Sequence, residues 1–152
     1  MITVLLILHG LLAVALLGAI THQAFATRHP VKKPSFIARY RAVAASGYAN
    51  AVVVLFIVTN IGGALLYPQY RLDIRPTLED LDLRAANGVF EIKEHLAAIG
   101  LGLLPAYWFF WRQPLGAEGL IARRYLTWLM AFIVWWNFLV GHVLNNIKGL
   151  FG

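Results

Sequence analysis

The chain contains four apolar runs, each long enough to cross a lipid bilayer. They extend over about Ile2 to Ala26, Ala42 to Tyr67, Gly88 to Trp111 and Ile121 to Ile147. About 20 helical residues cover the hydrocarbon core, and in lipid only helices or closed barrels satisfy every backbone polar group. Only 13% of the 152 residues are charged, about half the share in a soluble domain. The sequence therefore predicts an all-α, four-transmembrane-helix up-down bundle that forms a single integral membrane domain over residues 1–152.

The basic residues divide unevenly between the two sides of such a bundle. The first and third connectors carry eight Lys/Arg and one acid, whereas the opposite side carries five Lys/Arg and six acids. The positive-inside rule places the first and third connectors in the cytoplasm. We therefore expect an integral protein of the bacterial inner membrane with both termini outside. These connectors also explain the formal net charge of +6, so we expect the lipid bilayer as a partner and no nucleic acid.

Three histidines lie inside the apolar runs at similar distances from the expected outer side. His9 and His95 each follow the outer start of a span by about two helical turns, and His142 lies shortly before the outer end of the last span. A helix rises ~1.5 Å per residue, which puts all three roughly 8–10 Å below the outer boundary. Ionisable groups at membrane depth are costly and usually mark a redox, metal or proton site. We therefore expect the three imidazoles to converge on one occupant.

The third span carries further ionisable residues beside its histidine. Glu91, Glu94 and His95 have the spacing i, i+3 and i+4, which places them on one helical face. Lys93 lies between them in sequence. This group favours a functional site near the outer end of the third span.

A b-type haem is the first occupant that this pattern predicts. Such a haem needs axial imidazoles on opposing helices, and the first and third spans of an up-down bundle are diagonal across its core. His9 and His95 would then be axial ligands, with His142 as a further ligand candidate and Lys93 near the propionates. Because the chain has no cysteine, c-type haem, iron–sulfur clusters and thiolate metal sites are excluded. The resulting hypothesis is a small electron-transfer subunit with its site near the outer face.

Three alternatives stay open. A copper, iron or zinc ion could be held by His9, His95 and His142 with Glu91 or Glu94, for metal delivery or assembly. An acid–histidine chain beside a quinone could carry protons to or from the outer face. The chain could also be a cofactor-free accessory subunit of a larger, for example respiratory, membrane complex. In each case other membrane subunits or an outer-face redox partner are the expected protein partners.

A short sequence pattern resembles two known families. Leu8-His9-Gly10 in the first helix, with Lys93 early in the third, is similar to a pattern in small four-helix membrane families. These are the copper-resistance D-type proteins and the haem-binding protoporphyrinogen-oxidase type. The resemblance implies a metal- or haem-linked role, with His9 as the first-helix histidine and Lys93 as the third-helix lysine. The acids and the histidine around Lys93 depart from the pattern, so no enzymatic activity or catalytic residue is carried over.

The middle connector, Pro68 to Asn87, is the longest polar stretch. Thr77 and Asp80 have the spacing of a capping pattern, which predicts a short surface helix beginning at Thr77. We expect the arginines of this connector to pair with its acids as a solvated face.

Overall fold

A computed structural model of the chain describes residues 2–28, Phe36 and residues 45–151. Its elements are α1 (Ile2–Ala26), α2 (Ala45–Gln69), a π-helical segment (Tyr70–Ile74), a short α3 (Arg75–Asp80), α4 (Arg84–Arg112) and α5 (Ala117–Phe151). These residues form no strand, so the all-α prediction is confirmed. The basic residues of the first connector, Lys32, Lys33, Arg39 and Arg41, lie outside the described residues.

Three stretches of helix are long and apolar enough to cross a membrane. They are Ile2–Ala26, Gly47–Asp80 and Ala117–Asn146. The helix α4 is not among them, because its first turns carry Glu91, Lys93 and Glu94. The described chain is thus a helical bundle with three candidate spans, against the four that the sequence analysis predicts.

The four long helices pack in a ring. The helix α1 contacts α2 and α5, and α4 contacts the same two helices. The helices α1 and α4 are therefore diagonal, as expected for an up-down arrangement. Because neighbouring helices run in opposite directions, the bundle has two distinct ends. We call the end formed by the start of α1, the segment Tyr70–Asp80 and the last turns of α5 the histidine end, and the opposite end the arginine end.

The main hydrophobic core lies towards the arginine end. Its largest fully buried side chains include Ile20, Val52, Phe56, Tyr107, Met130 and Ile133. A smaller cluster of Leu78, Val140 and Leu144 closes the histidine end. Most side chains in the first half of α1 belong to neither cluster and are exposed, including those of Val4 and Leu11. Tight apolar packing is thus concentrated away from the level of His9.

The middle connector is helical over most of its length. The helix α2 continues through Pro68, and the π-helical segment follows the proline directly. Proline lacks a helical N–H donor, and a wider turn of this kind often marks a functional position. The prediction that a helix begins at Thr77 is wrong, because α3 begins at Arg75 and the Thr77 hydroxyl donates to the backbone oxygen of Asp73 at 2.8 Å. The chain reverses only after α3, where Asp82 has a positive φ of 56°.

Candidate functional site

His9 packs against the backbone of α2. A Cβ atom added at Gly62 would lie 3.1 Å from its Nδ1, and one added at Gly63 would lie 3.4 Å from its Cε1. The Nδ1 atom is buried without a hydrogen-bond partner, and the backbone of Thr59 lies beside the ring. The Thr59 hydroxyl is also buried without a partner. The glycine pair thus lets a half-buried imidazole approach α2 closely, as small residues do between membrane helices.

Lys93 extends from α4 towards α5. Its side chain is 16% exposed, and its ammonium group pairs with the Glu94 carboxylate at 2.5 Å and lies 4.7 Å from the centroid of the Phe90 ring. Its Cε would be 3.8 Å from a Cβ atom at Gly141 of α5. Lys93 and Glu94 therefore form an ion pair inside the bundle, on the helix that is diagonal to the one carrying His9.

His95 points to a different place, a cleft at the histidine end. The cleft has a volume of about 270 Å³ and is lined by Tyr67, Tyr70, Arg71, Arg75, Phe90, Glu91, Glu94 and His95. Glu94 therefore both lines the cleft and binds Lys93. This carboxylate connects the cleft to the Lys93 ammonium group inside the bundle.

Aromatic rings and a hydrogen-bonded frame shape the cleft. The rings of Tyr70 and Phe90 are stacked, with 3.6 Å between centroids and 14° between planes. The Tyr70 hydroxyl donates to Asn87 Oδ1 at 2.9 Å, which fixes the π-helical segment to α4. Arg75 pairs with Glu79 at 2.8 Å and with Glu91 at 3.6 Å.

The arginines of this region differ in their pairing. Arg75 and Arg84 both have carboxylate partners, the latter in Asp82 at 3.1 Å. Arg71 lines the cleft without an ion pair in the described part of the chain. Its guanidinium is therefore the unneutralised cation of the cleft, whereas the prediction of paired arginines is confirmed for the other two.

His142 contacts its own helix. The ring is exposed, lies parallel to Phe138 with 6.2 Å between centroids, and its Nε2 is 3.2 Å from Asn146 Nδ2. It does not line the cleft.

The predicted ligands thus occupy three settings. His9 lies against α2, His95 lines the cleft, and His142 lies on the exposed surface of α5. Across the described ranges, no three or more His, Asp or Glu side chains form a group that could hold a metal ion, so the predicted cluster of these histidines with Glu91 or Glu94 is not formed. The ammonium group of Lys93 is paired with the Glu94 carboxylate. Coordination of a haem by His9 with His95 or His142 stays a prediction.

The aromatic walls of the cleft are the part that sequence reasoning missed. The run Tyr67-Pro68-Gln69-Tyr70-Arg71 contains the signal, since two tyrosines three residues apart and an arginine lie there around a proline. Their convergence with α4 depends on α2 continuing as a helix beyond the apolar run.

No protein-family model, curated protein or solved structure matches the chain. The resemblance to the two small four-helix families therefore stays a prediction.

Proposed function

We propose that this chain is a four-span membrane protein whose cleft at the histidine end binds the headgroup of a quinone-type redox lipid. In this proposal the histidine end faces the outer side, and Glu94, Lys93 and His9 exchange protons with the bound headgroup. Electrons come from other subunits of a larger membrane complex. The observation that carries the proposal is the shared carboxylate of Glu94, which joins an aromatic cleft to an ionisable group inside the bundle.

The helix α4 is the fourth span in this proposal. Its 29 residues correspond to about 43 Å of helix, more than a hydrocarbon core of ~30 Å. It packs between the two apolar helices α2 and α5. Its charged residues lie between Arg84 and Glu94 and at Arg112, and among them Lys93 is neutralised by Glu94. An α-helix with paired charges and a long uncharged remainder can cross a bilayer.

The shape and chemistry of the cleft support a planar, polar ligand ring. Its volume of about 270 Å³ is near the lower limit for small-molecule pockets, which suits a single-ring headgroup. The stacked rings of Tyr70 and Phe90 provide an aromatic wall. Arg71 and His95 can donate hydrogen bonds to the carbonyl oxygens of a quinone. The exposed apolar side chains of Leu72 and Ile92 at the same end are suited to contact its hydrocarbon tail.

The interior group supports proton exchange. A quinone takes up two protons when it is reduced by two electrons, so its site needs groups that change protonation. Glu94 and His95 line the cleft, Lys93 is paired with Glu94, and His9 is half-buried on the diagonal helix α1. Carboxylates and imidazoles inside a membrane commonly serve as such proton relays.

Binding of a short-tailed benzoquinone to the purified protein in nanodiscs tests the proposal. The measurement is quenching of intrinsic fluorescence, with an alkylbenzene of equal tail length as the control for partition into lipid. We expect saturable binding that His95→Ala and Arg71→Gln each weaken about tenfold, the value of one lost hydrogen bond to a charged group. His142→Ala is the matched control, since this histidine is exposed at the same end but does not line the cleft.

Two results would overturn the proposal. One is binding that does not saturate, or that the alkylbenzene reproduces. The other is equal affinity in His95→Ala and His142→Ala. A Soret absorption band in the purified protein would support the haem hypothesis in its place.

A further inference from the structure

The arginine end of the bundle holds its guanidinium groups on aromatic rings. The Cζ atom of Arg28, just after α1, lies 4.7 Å from the ring centroid of Phe25 and 5.2 Å from that of Trp128 on α5. These two rings meet edge to face with 6.2 Å between centroids. Arg28 is thus held in place across the α1–α5 contact.

The other arginines of this end follow the same pattern. Arg123 lies 4.7 Å from the Trp111 ring, and Arg112 lies 5.7 Å from the Trp108 ring. None of these arginines forms an ion pair in the described part of the chain. The structure describes all seven acidic residues, and Glu118, in the first turn of α5, is the sole acid at the arginine end. The arginine end therefore carries cations without matching carboxylates.

A further arginine, Arg124, lies on the same helical face as the indole ring that Arg28 contacts. Arg124 is exposed and precedes Trp128 by four residues on α5, so both lie on one helical face. Arg28 covers the same Trp128 ring from the α1 side. A guanidinium that stacks through its planar face keeps the N–H donors of its edge available. Arg28 and Arg124 can therefore offer donors to one anionic group at the mouth of the α1–α5 groove.

An apolar surface continues from this point towards the middle of the bundle. Trp128, Phe132 and Trp135 repeat at helical spacing on α5 and are 36%, 55% and 42% exposed. The Trp135 indole donates to the Thr21 hydroxyl of α1 at 3.1 Å, which ties the two helices together below Arg28. A ligand bound at the arginines would thus meet a long apolar face directly beneath them.

We infer that the α1–α5 groove is a binding site for an anionic phospholipid. Its phosphate lies between Arg28 and Arg124, and an acyl chain runs along Trp128 and Phe132. The unneutralised cations select a headgroup with net negative charge, and the apolar face selects a lipid over a free phosphate ion. The inference does not depend on the quinone proposal, because it concerns the opposite end of the bundle.

The test is native mass spectrometry of the full chain released from nanodiscs that contain phosphatidylcholine and phosphatidylglycerol in equal amounts. We expect retained phosphatidylglycerol to exceed phosphatidylcholine about tenfold in the wild type, and this preference to disappear in Arg28→Gln/Arg124→Gln. Arg84→Gln is the matched control. It removes one exposed arginine from the histidine end, where it pairs with Asp82, and should keep the preference.

Three results would overturn the inference. They are equal retention of both lipids by the wild type, loss of the preference in Arg84→Gln to the same extent, and an equal thermal stabilisation of the wild type by inorganic phosphate and by phosphatidylglycerol vesicles. If the double variant fails to fold, the single variant Arg124→Gln serves as the test, because it leaves Arg28 stacked on the rings of Phe25 and Trp128. The single variant should lose a large part of the preference, and an unchanged preference would count against the site.

Discussion

His9 and Gly62 are in direct contact across the α1–α2 interface, with the imidazole Nδ1 only 3.1 Å from the position of a Cβ atom at residue 62. The glycine sets how deeply the imidazole lies in the bundle. The packing of α1 against α2 at the level of His9 therefore depends on the absence of a side chain at Gly62.

Replacing this glycine by alanine should displace the imidazole. We expect Gly62→Ala to destabilise the protein by about 1 kcal/mol, since overpacking exceeds the gain in helix propensity. Thermal unfolding in detergent, followed by tryptophan fluorescence, measures the effect. Gly10→Ala is the control because nothing lies within 4 Å of its Cβ position. In the background of His9→Ala the cost of Gly62→Ala should vanish, and a cost that persists there would show that the imidazole is not its source.

A second glycine is essential to the core itself. A Cβ atom at Gly100 would lie 2.4 Å from Phe56 Cζ and 3.3 Å from Ile133 Cγ2, and both neighbours are fully buried. We expect Gly100→Ala to cost about 2–3 kcal/mol, measured as a lower unfolding temperature.

Gly102→Ala, two residues further along α4, should be slightly stabilising, because its Cβ position is open and alanine favours the helix over glycine. Replacing the Phe56 ring by the smaller leucine side chain, in the double variant Gly100→Ala/Phe56→Leu, should recover part of the lost stability. If the double variant were as unstable as the sum of its single substitutions, the steric explanation would be wrong.

The ion pair of Lys93 and Glu94 predicts a strong asymmetry between single and double substitutions. Glu94→Gln leaves a poorly exposed ammonium group without its counter-charge. Because the Glu94 side chain is itself 42% exposed, the loss should cost about 1–2 kcal/mol, between the values for exposed and buried pairs. The double variant Lys93→Met/Glu94→Gln removes both charges and should be more stable than Glu94→Gln alone. The measurement is the unfolding temperature of the wild type, of the single variants Lys93→Met and Glu94→Gln, and of the double variant. Additive effects of the two substitutions would argue that the two side chains are not coupled.

The hydroxyl of Tyr70 should fix the segment between α2 and α4. Tyr70→Phe removes its donor to the buried Asn87, and an unpaired buried amide costs about 1–3 kcal/mol. Faster amide hydrogen exchange is expected over residues 70–87. Tyr67→Phe is the control, because this residue is exposed and lines the same cleft. Equal exchange rates in the two variants would contradict a structural role for the Tyr70 hydroxyl.

Much of the fold could be predicted from the sequence. The long apolar runs indicated the helices, and α1 has the predicted bounds, because hydrophobicity and length alone determine such helices in lipid. The diagonal arrangement of α1 and α4 followed from short connectors. Three of the four predicted spans correspond to helices that are long and apolar enough to cross a membrane. The ionisable residues at the start of α4 lower its apolar character, so the fourth span stays a prediction.

The site could be predicted only in part. Depth along each helix placed His9, His95 and His142 near one end, but depth does not determine which neighbour a side chain faces. His9 turns to α2 because Gly62 and Gly63 leave space there, and His142 stacks on its own helix. The cleft depends on α2 remaining helical through Pro68, which local propensity argues against and the surrounding packing overrides.

The uninterrupted helical path from residue 47 to residue 80 has a mechanical consequence. Tyr67, Tyr70 and Arg71 lie on the same continuous helical path as Gly62, so a tilt of this path would displace the cleft wall. Bilayers of different thickness impose different tilts on a long helix. In a bilayer, membrane thickness would therefore change the geometry of the cleft through the helical turns on either side of Pro68.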